Sequence, residues 1–175
     1  MNTLRIYKRA YHLMDVPIEG GDCGRLCGRI CCTAREGWGI YLLPGEKRMV
    51  HTKMFHMKKH RRRRYNIPRD IPYLYFASCD KVCGKDSTAR RYRPIQCRTY
   101  PLMPYMSGGR LMLIKNPIGQ CPLSIKQLNK EFINRCFRAW EILITIPEVE
   151  HLIEHDSRLI RQGKPFAPED CRPVH

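Results

Sequence analysis

Several signals are missing from this chain, and each absence removes a class of function. No apolar run approaches the ~20 residues needed to cross a bilayer. The first ten residues, Met1 to Ala10, hold no uninterrupted apolar core and no small-residue cleavage site, so a secretory leader is not expected. A P-loop, a dinucleotide glycine fingerprint and a nucleophile–base motif are all absent, which argues against nucleotide hydrolysis, NAD chemistry and acyl transfer. Neither a helix-turn-helix nor a finger pattern appears, so sequence-specific DNA reading is not implied. No internal repeat is visible. Acid is scarce: 16 Asp and Glu stand against 32 Lys and Arg, a formal net charge of +16.

Cysteine is what the chain has in excess. Ten cysteines in 175 residues fit either a secreted disulfide framework or an intracellular metal protein. Without a leader, a soluble cytoplasmic protein with reduced thiols is the expectation. The stretch Cys23-Gly24-Arg25-Leu26-Cys27-Gly28-Arg29-Ile30-Cys31-Cys32 packs four thiols into ten residues. Adjacent cysteines suit a local disulfide poorly. Thiolates this close would repel one another without a cation among them.

Eight cysteines lie in loop-like places, most of them near glycine or proline: Cys23, Cys27, Cys31, Cys32, Cys79, Cys83, Cys97 and Cys121. Eight ligands divide into two four-cysteine sites. Cys31 and Cys32 are adjacent, so their side chains diverge and the two sites can interleave. Cys136 falls on the apolar face of a helix and reads as a buried structural thiol. Cys171 reads as a lone thiol in the tail. Zinc ribbons usually show paired two-residue spacings; here the gaps are three, three and zero residues in the first block and three between Cys79 and Cys83. That leans the cofactor toward an iron–sulfur cluster of the 4Fe-4S kind, with zinc as the alternative. Four thiolates on either group leave a net negative site, which part of the arginine excess would balance.

The expected fold is α+β: a small cysteine-rich, metal-stapled domain with a C-terminal helical pair. Residues 1–20 read as a lead-in, with Tyr7, Ala10, Tyr11 and Met14 at helical spacing. The cysteine-cluster domain spans 21–123. Within it, Trp38 to Leu43 predicts a strand, and Pro44-Gly45-Glu46 a helix start running through Met49, Val50 and Met54. Tyr73 to Phe76 predicts a strand that delivers Cys79. Tyr105 and Met106, a Ser107-Gly108-Gly109 turn and Leu111 to Ile114 predict a hairpin. The helical pair spans 124–163: a long helix from Ser124 to Ile146, with Ser124 and Gln127 as a capping box, then Glu148 to Arg161, closed by Gly163. Residues 164–175 form an irregular tail.

The cysteines and their neighbours together resemble a known family. A cluster ending in a Cys-Cys pair, a strand, a Pro-Gly-Glu turn, Cys79 and Cys83, the segment Arg93-Pro94-Ile95-Gln96-Cys97-Arg98-Thr99-Tyr100-Pro101, and Cys121-Pro122 follow one another as in the YkgJ-type cysteine-cluster proteins. The resemblance covers roughly residues 20–125. It implies zinc or iron chelation through the eight cysteines named above. Some relatives are iron–sulfur proteins and others are similar to flagellin lysine methylases. The first block departs from the family, with gaps of three and three residues where two and two are usual.

Four other patterns are open to a functional reading. Arg93, Arg98 and Tyr100 flank Cys97 and suit a supporting shell around cluster sulfurs. Glu46 either pairs with such an arginine or sits at the surface as a helix cap. The run Lys58, Lys59, Arg61, Arg62, Arg63 and Arg64 suits phosphates, with Tyr65, Tyr73 and Tyr75 near enough to stack on bases; a solvated basic loop is the plainer reading. His151-Leu152-Ile153-Glu154-His155 matches an inverted zinc-peptidase motif but lacks room for the further acidic ligand, so a solvated helix face is expected.

Three functions fit. The first is a metal-binding, iron–sulfur protein serving electron transfer, with a redox partner, or supporting a macromolecular partner. The second is a zinc-stapled basic module on nucleic acid or a nucleoprotein assembly, the positive charge favouring a polyanion such as nucleic acid or an acidic protein. The third is a protein-modifying enzyme similar to the methylases.

Overall fold

The computed structural model describes residues 2–15, 39–50, 55–62, 66–79, 93–117 and 121–164, with Cys79 described by its backbone alone. Cys23, Cys27, Cys31, Cys32, Cys83, Cys171, Arg63 and Arg64 lie outside the described residues, as do Tyr65 and the tail. Four α-helices and two small antiparallel sheets make the described part α+β.

Helix α1, Thr3–Leu13, starts at Asn2, whose side chain accepts from the Leu4 N–H at 3.0 Å. The helical spacing of its apolar residues turns Ile6, Tyr7, Ala10 and Tyr11 inward, and Met14 follows them. This helix is more than a lead-in: it packs against the long C-terminal helix and supplies the main core.

Strand β1, Gly39–Leu42, and strand β2, Phe55–Arg61, both pair antiparallel with strand β3, Tyr73–Cys79, in the order β1-β3-β2. β1 and β3 match expectation. The helix expected from Pro44 does not form as read. Gly45 takes φ +85°, and Glu46–Arg48 make one 3-10 turn that stops at Met49. Glu46 is turned into the core instead of lying along a helix surface.

The first part of the basic run, Lys58 to Arg61, is likewise not a loop, because residues 55–61 form β2. Of its seven positions only Phe55 and His60 are fully buried, so alternation is masked by cations. An edge strand tolerates such a sequence, since exposed lysines discourage pairing with another chain.

Helix α2, Ile95–Thr99, precedes a hairpin of β4, Leu102–Ser107, and β5, Arg110–Lys115. Its two-residue turn needs left-handed backbone at both positions, and Gly108 and Gly109 supply it with φ 56° and 72°.

The long C-terminal helix is interrupted near its start. Ser124 and Gln127 do form a capping box, but it closes only a 3-10 turn, Ile125–Gln127. Leu128 is extended, and Asn129 then caps helix α3, Lys130–Leu143, by accepting from the Glu131 N–H at 2.8 Å. Two cap residues five positions apart divide what the apolar stripe alone reads as one helix. Phe132, Cys136, Ala139, Trp140 and Leu143 are its buried face, and Cys136 is the structural thiol expected. Helix α4, Pro147–Arg161, begins with proline in its first turn and ends before Gly163, at φ 66°. It docks on β4: the Met106 N–H donates to Ser157 Oγ at 2.8 Å, and Arg161 Nη1 donates to the Met106 carbonyl at 3.0 Å. No helix among the described residues is long and apolar enough to cross a membrane.

Candidate metal centre

Two of the eight candidate ligands have described side chains, and one buried carboxylate organises the region around the first. Glu46 is fully buried. Its Oε2 accepts from the Leu43 N–H at 2.9 Å, closing the turn after β1. Its Oε1 accepts from the Tyr11 hydroxyl at 2.7 Å and from the Ile95 N–H at 2.6 Å. The last bond matters most locally. Ile95 opens α2, and the preceding Pro94 has no side chain able to cap it. A carboxylate reached from 49 positions away does the capping. Burial pushes the Glu46 carboxyl above the ordinary carboxylate range, while the Ile95, Tyr11 and Leu43 donors and the Arg98 charge hold that rise back.

Arg98 is also buried, at 4% exposure. Its Nε donates to the Arg93 carbonyl at 3.0 Å and its Nη1 to the Tyr11 carbonyl at 3.3 Å, with the guanidinium carbon 4.5 Å from the Tyr11 ring centre. Tyr11 is therefore held at its hydroxyl, ring and carbonyl. Burial first, then the Glu46 charge and hydrogen bond, push its phenol well above the ordinary range; Arg98 opposes them.

Cys97 lies between Arg98 and Gln96 on α2, and Gln96 Nε2 donates to the Tyr41 carbonyl of β1 at 3.1 Å. Tyr100 accepts the Cys121 N–H on its hydroxyl at 2.9 Å. Cys121 packs against the main core, and both thiols are half-buried and unbridged. Of the three residues expected to support the cluster, Arg98 braces α2 and α1, Arg93 offers its carbonyl to Arg98, and Tyr100 fixes the backbone of Cys121. Glu46 is a buried cap and not a surface one, and the charge of Arg98 acts on it.

Of the other candidate ligands, Cys79 alone is placed, by its backbone at the end of β3. Gly39, the first residue after the segment carrying Cys23 to Cys32, pairs with Ser78, and Phe55 pairs with Cys79. Tyr41, which Gln96 contacts, pairs with Phe76, three residues and about 10 Å along β3 from Cys79. Among the described residues no three His, Cys, Asp or Glu side chains form a group able to hold a metal.

Sequence reasoning missed two residues. Tyr11 read as one position in an apolar stripe. His60 read as part of the basic run, yet it is buried: Tyr41 Oη lies 2.6 Å from its Nδ1, and its ring stacks on Phe76 at 5.3 Å.

The inverted zinc-peptidase pattern is not assembled. His151 pairs with Asp70 at the surface, which raises the histidine's pKa and lowers the aspartate's. On the same helix Asp156 is partly exposed, but its Oδ1 is fully buried and has no partner among the described residues. Burial pushes its carboxyl up to about 7. An aspartate whose folded pKa lies above its unfolded value near 3.9 loses stability as pH rises through that interval. Full burial would cost on the order of 4 kcal/mol, and partial exposure reduces this to about 2 kcal/mol. Asp156→Asn should therefore gain on the parent between pH 4 and pH 7, with a constant gap above. Urea unfolding across that range checks it, and a gap that does not grow with pH would remove the assignment.

A scan against protein-family models finds no match, and neither do searches of curated proteins and solved structures.

Proposed function

We propose that the chain is a metal-binding protein of YkgJ-like type, holding an iron–sulfur cluster or zinc through Cys23, Cys27, Cys31, Cys32, Cys79, Cys83, Cys97 and Cys121. The observation that supports this reading is local: Tyr100, at the end of the helix that carries Cys97, accepts the Cys121 N–H, and Gln96 of that helix donates to β1, which pairs with the strand ending at Cys79. Thiols at Cys97 and Cys121 are unbridged and partly open, as ligands must be. The donor set suits soft metals.

Arg98 and Cys97 both act electrostatically on Tyr11, and Glu46 locks the helix carrying that thiol. Such a shell orients ligands and offsets thiolate charge. A bound iron–sulfur cluster would supply one-electron transfer, and zinc a purely structural staple. The reduced thiols fit a cytoplasmic setting.

Anaerobic purification followed by metal analysis and a visible spectrum tests the reading. Iron, acid-labile sulfide and a broad absorption bleached by reductant are expected. About two equivalents of zinc in a colourless protein would keep the ligand set and remove electron transfer. Protein that stays metal-free after anaerobic reconstitution with either metal overturns the reading.

A further inference from the structure

The three-stranded sheet has two faces, and the main core uses one. Leu74 and Phe76 of β3, with His60 opposite Leu74 and Tyr41 opposite Phe76, line the core face. Intervening residues face outward. Tyr75 pairs with Lys59 and with Leu42, Tyr73 pairs with Arg61, and directly opposed residues share a face. At one end this outer face is closed by a small cluster of Leu42, Val50, Phe55 and Ala77. At the other end it is open, and Tyr73 is 36% exposed.

The open end combines rings and cations from separate parts of the chain. Tyr73 and Tyr75 meet edge to face at 5.5 Å. Lys59 Nζ lies 3.7 Å from the Tyr73 ring centre, and Lys47 Nζ lies 4.3 Å from that of Tyr75. Both tyrosines, with Lys47 and Arg48, line a pocket of about 410 Å³, and none of its described lining residues is acidic. That volume lies in the range of small-ligand sites.

We propose that this outer sheet face is a platform for single-stranded nucleic acid, with bases stacking on Tyr73 and Tyr75 and phosphates meeting Lys47, Arg48, Lys59 and Arg61. Protection of an edge strand explains Lys58 and Lys59 alone. It does not explain two tyrosines in alternation on the central strand, or the cations converging on them from the turn at 46–48. An acidic protein would use the cations but gain little from the rings. Unpaired bases use both, because every base offers a face to an aromatic ring while the backbone follows the positive charge. A duplex hides its base faces, so single strands are preferred. The linear basic run is not itself the site: Lys58 pairs with Phe76 and so belongs to the other face, and Arg62 holds the turn after β2 by donating to the Arg69 carbonyl at 2.8 Å.

Fluorescence anisotropy of the full chain, as purified anaerobically, with a labelled thymidine oligonucleotide of about 12 nucleotides tests the proposal. Binding should be tighter than to a duplex of equal length. Tyr73→Leu, which keeps an apolar side chain, should weaken it about tenfold, and Tyr73→Phe should restore it. Lys47→Gln and Lys59→Gln should each lower the salt slope by about 0.7. Equal affinity for duplex, or Leu and Phe variants that bind alike, would overturn the proposal. So would binding only to an acidic peptide or to anionic vesicles. These readouts rest on the sheet face alone, so protein that stays metal-free after anaerobic reconstitution yet binds the oligonucleotide would reject the metal reading and keep this one.

Discussion

Replacing Glu46 with alanine is expected to destabilise the protein by about 4–6 kcal/mol, a large part of a typical folding free energy. The carboxylate is fully buried and satisfies three donors: the Leu43 N–H, the Tyr11 hydroxyl and the Ile95 N–H. Alanine removes the acceptor and leaves all three in a dry site, each unpaired group costing about 1–3 kcal/mol. It also leaves the buried Arg98 guanidinium without the negative charge that acts on it. Glu46→Gln keeps the shape and one acceptor oxygen but turns an amide donor toward other donors, so about half of that loss is expected. Tyr11→Phe, which deletes one donor and strands no backbone group, should cost about 1 kcal/mol. Urea unfolding ranks the three variants. Amide exchange adds a local readout, since the Ile95 and Leu43 N–H groups should lose protection in the alanine variant first. A loss below about 1 kcal/mol for alanine, with Ile95 still protected, would mean that the carboxylate does not organise this region.

Local signals are what the sequence made legible. Helices α1 and α4 and the β4–β5 hairpin each carry their own period and their own stop residues, such as Gly108, Gly109 and Gly163. Strand β3 was readable because Tyr73 to Phe76 are strand formers. Where the fold departed from expectation, the deciding partner was distant or the pattern was weak. The break at Leu128 and Asn129 hides because both caps are plausible and the apolar stripe runs through them. Strand β2 hides because its pairing with β3 is spread across a sequence of mostly charged residues. Glu46 looked like an ordinary first-turn acid; its partners lie 35 and 49 positions away, at Tyr11 and Ile95. At the candidate site, the cysteines announce themselves by number and spacing. Arg98 and Tyr100 stand out as neighbours of Cys97, but Tyr11 and the buried role of Glu46 do not, because tyrosine and glutamate are common at surfaces and only tertiary contact shows them buried.

Cys97→Ser and Cys121→Ser should damage the fold as severely as Cys27→Ser, although they lie 70 and 94 positions beyond it. Metal binding that assembles a site from distant segments is also folding free energy, on the order of 10 kcal/mol for a structural zinc. Removing one thiolate from such a site forfeits several kcal/mol of that coupling wherever the thiolate lies in the chain. Cys136→Ser is the control. Its thiol is fully buried on the apolar face of α3, so a hydroxyl there costs about 1–3 kcal/mol without touching a proposed ligand. Metal content then separates the two causes: Cys97→Ser and Cys121→Ser should lose both stability and metal, whereas Cys136→Ser should lose stability and keep the metal. Tyr100→Phe completes the set. It removes the hydroxyl that accepts the Cys121 N–H and should cost about 1–2 kcal/mol, with a partial loss of metal. Full metal content and full stability in both Cys97→Ser and Cys121→Ser would refute the two-site ligand set, because neither thiol would then be closing a site that the segments at 23–32 and 79–83 share.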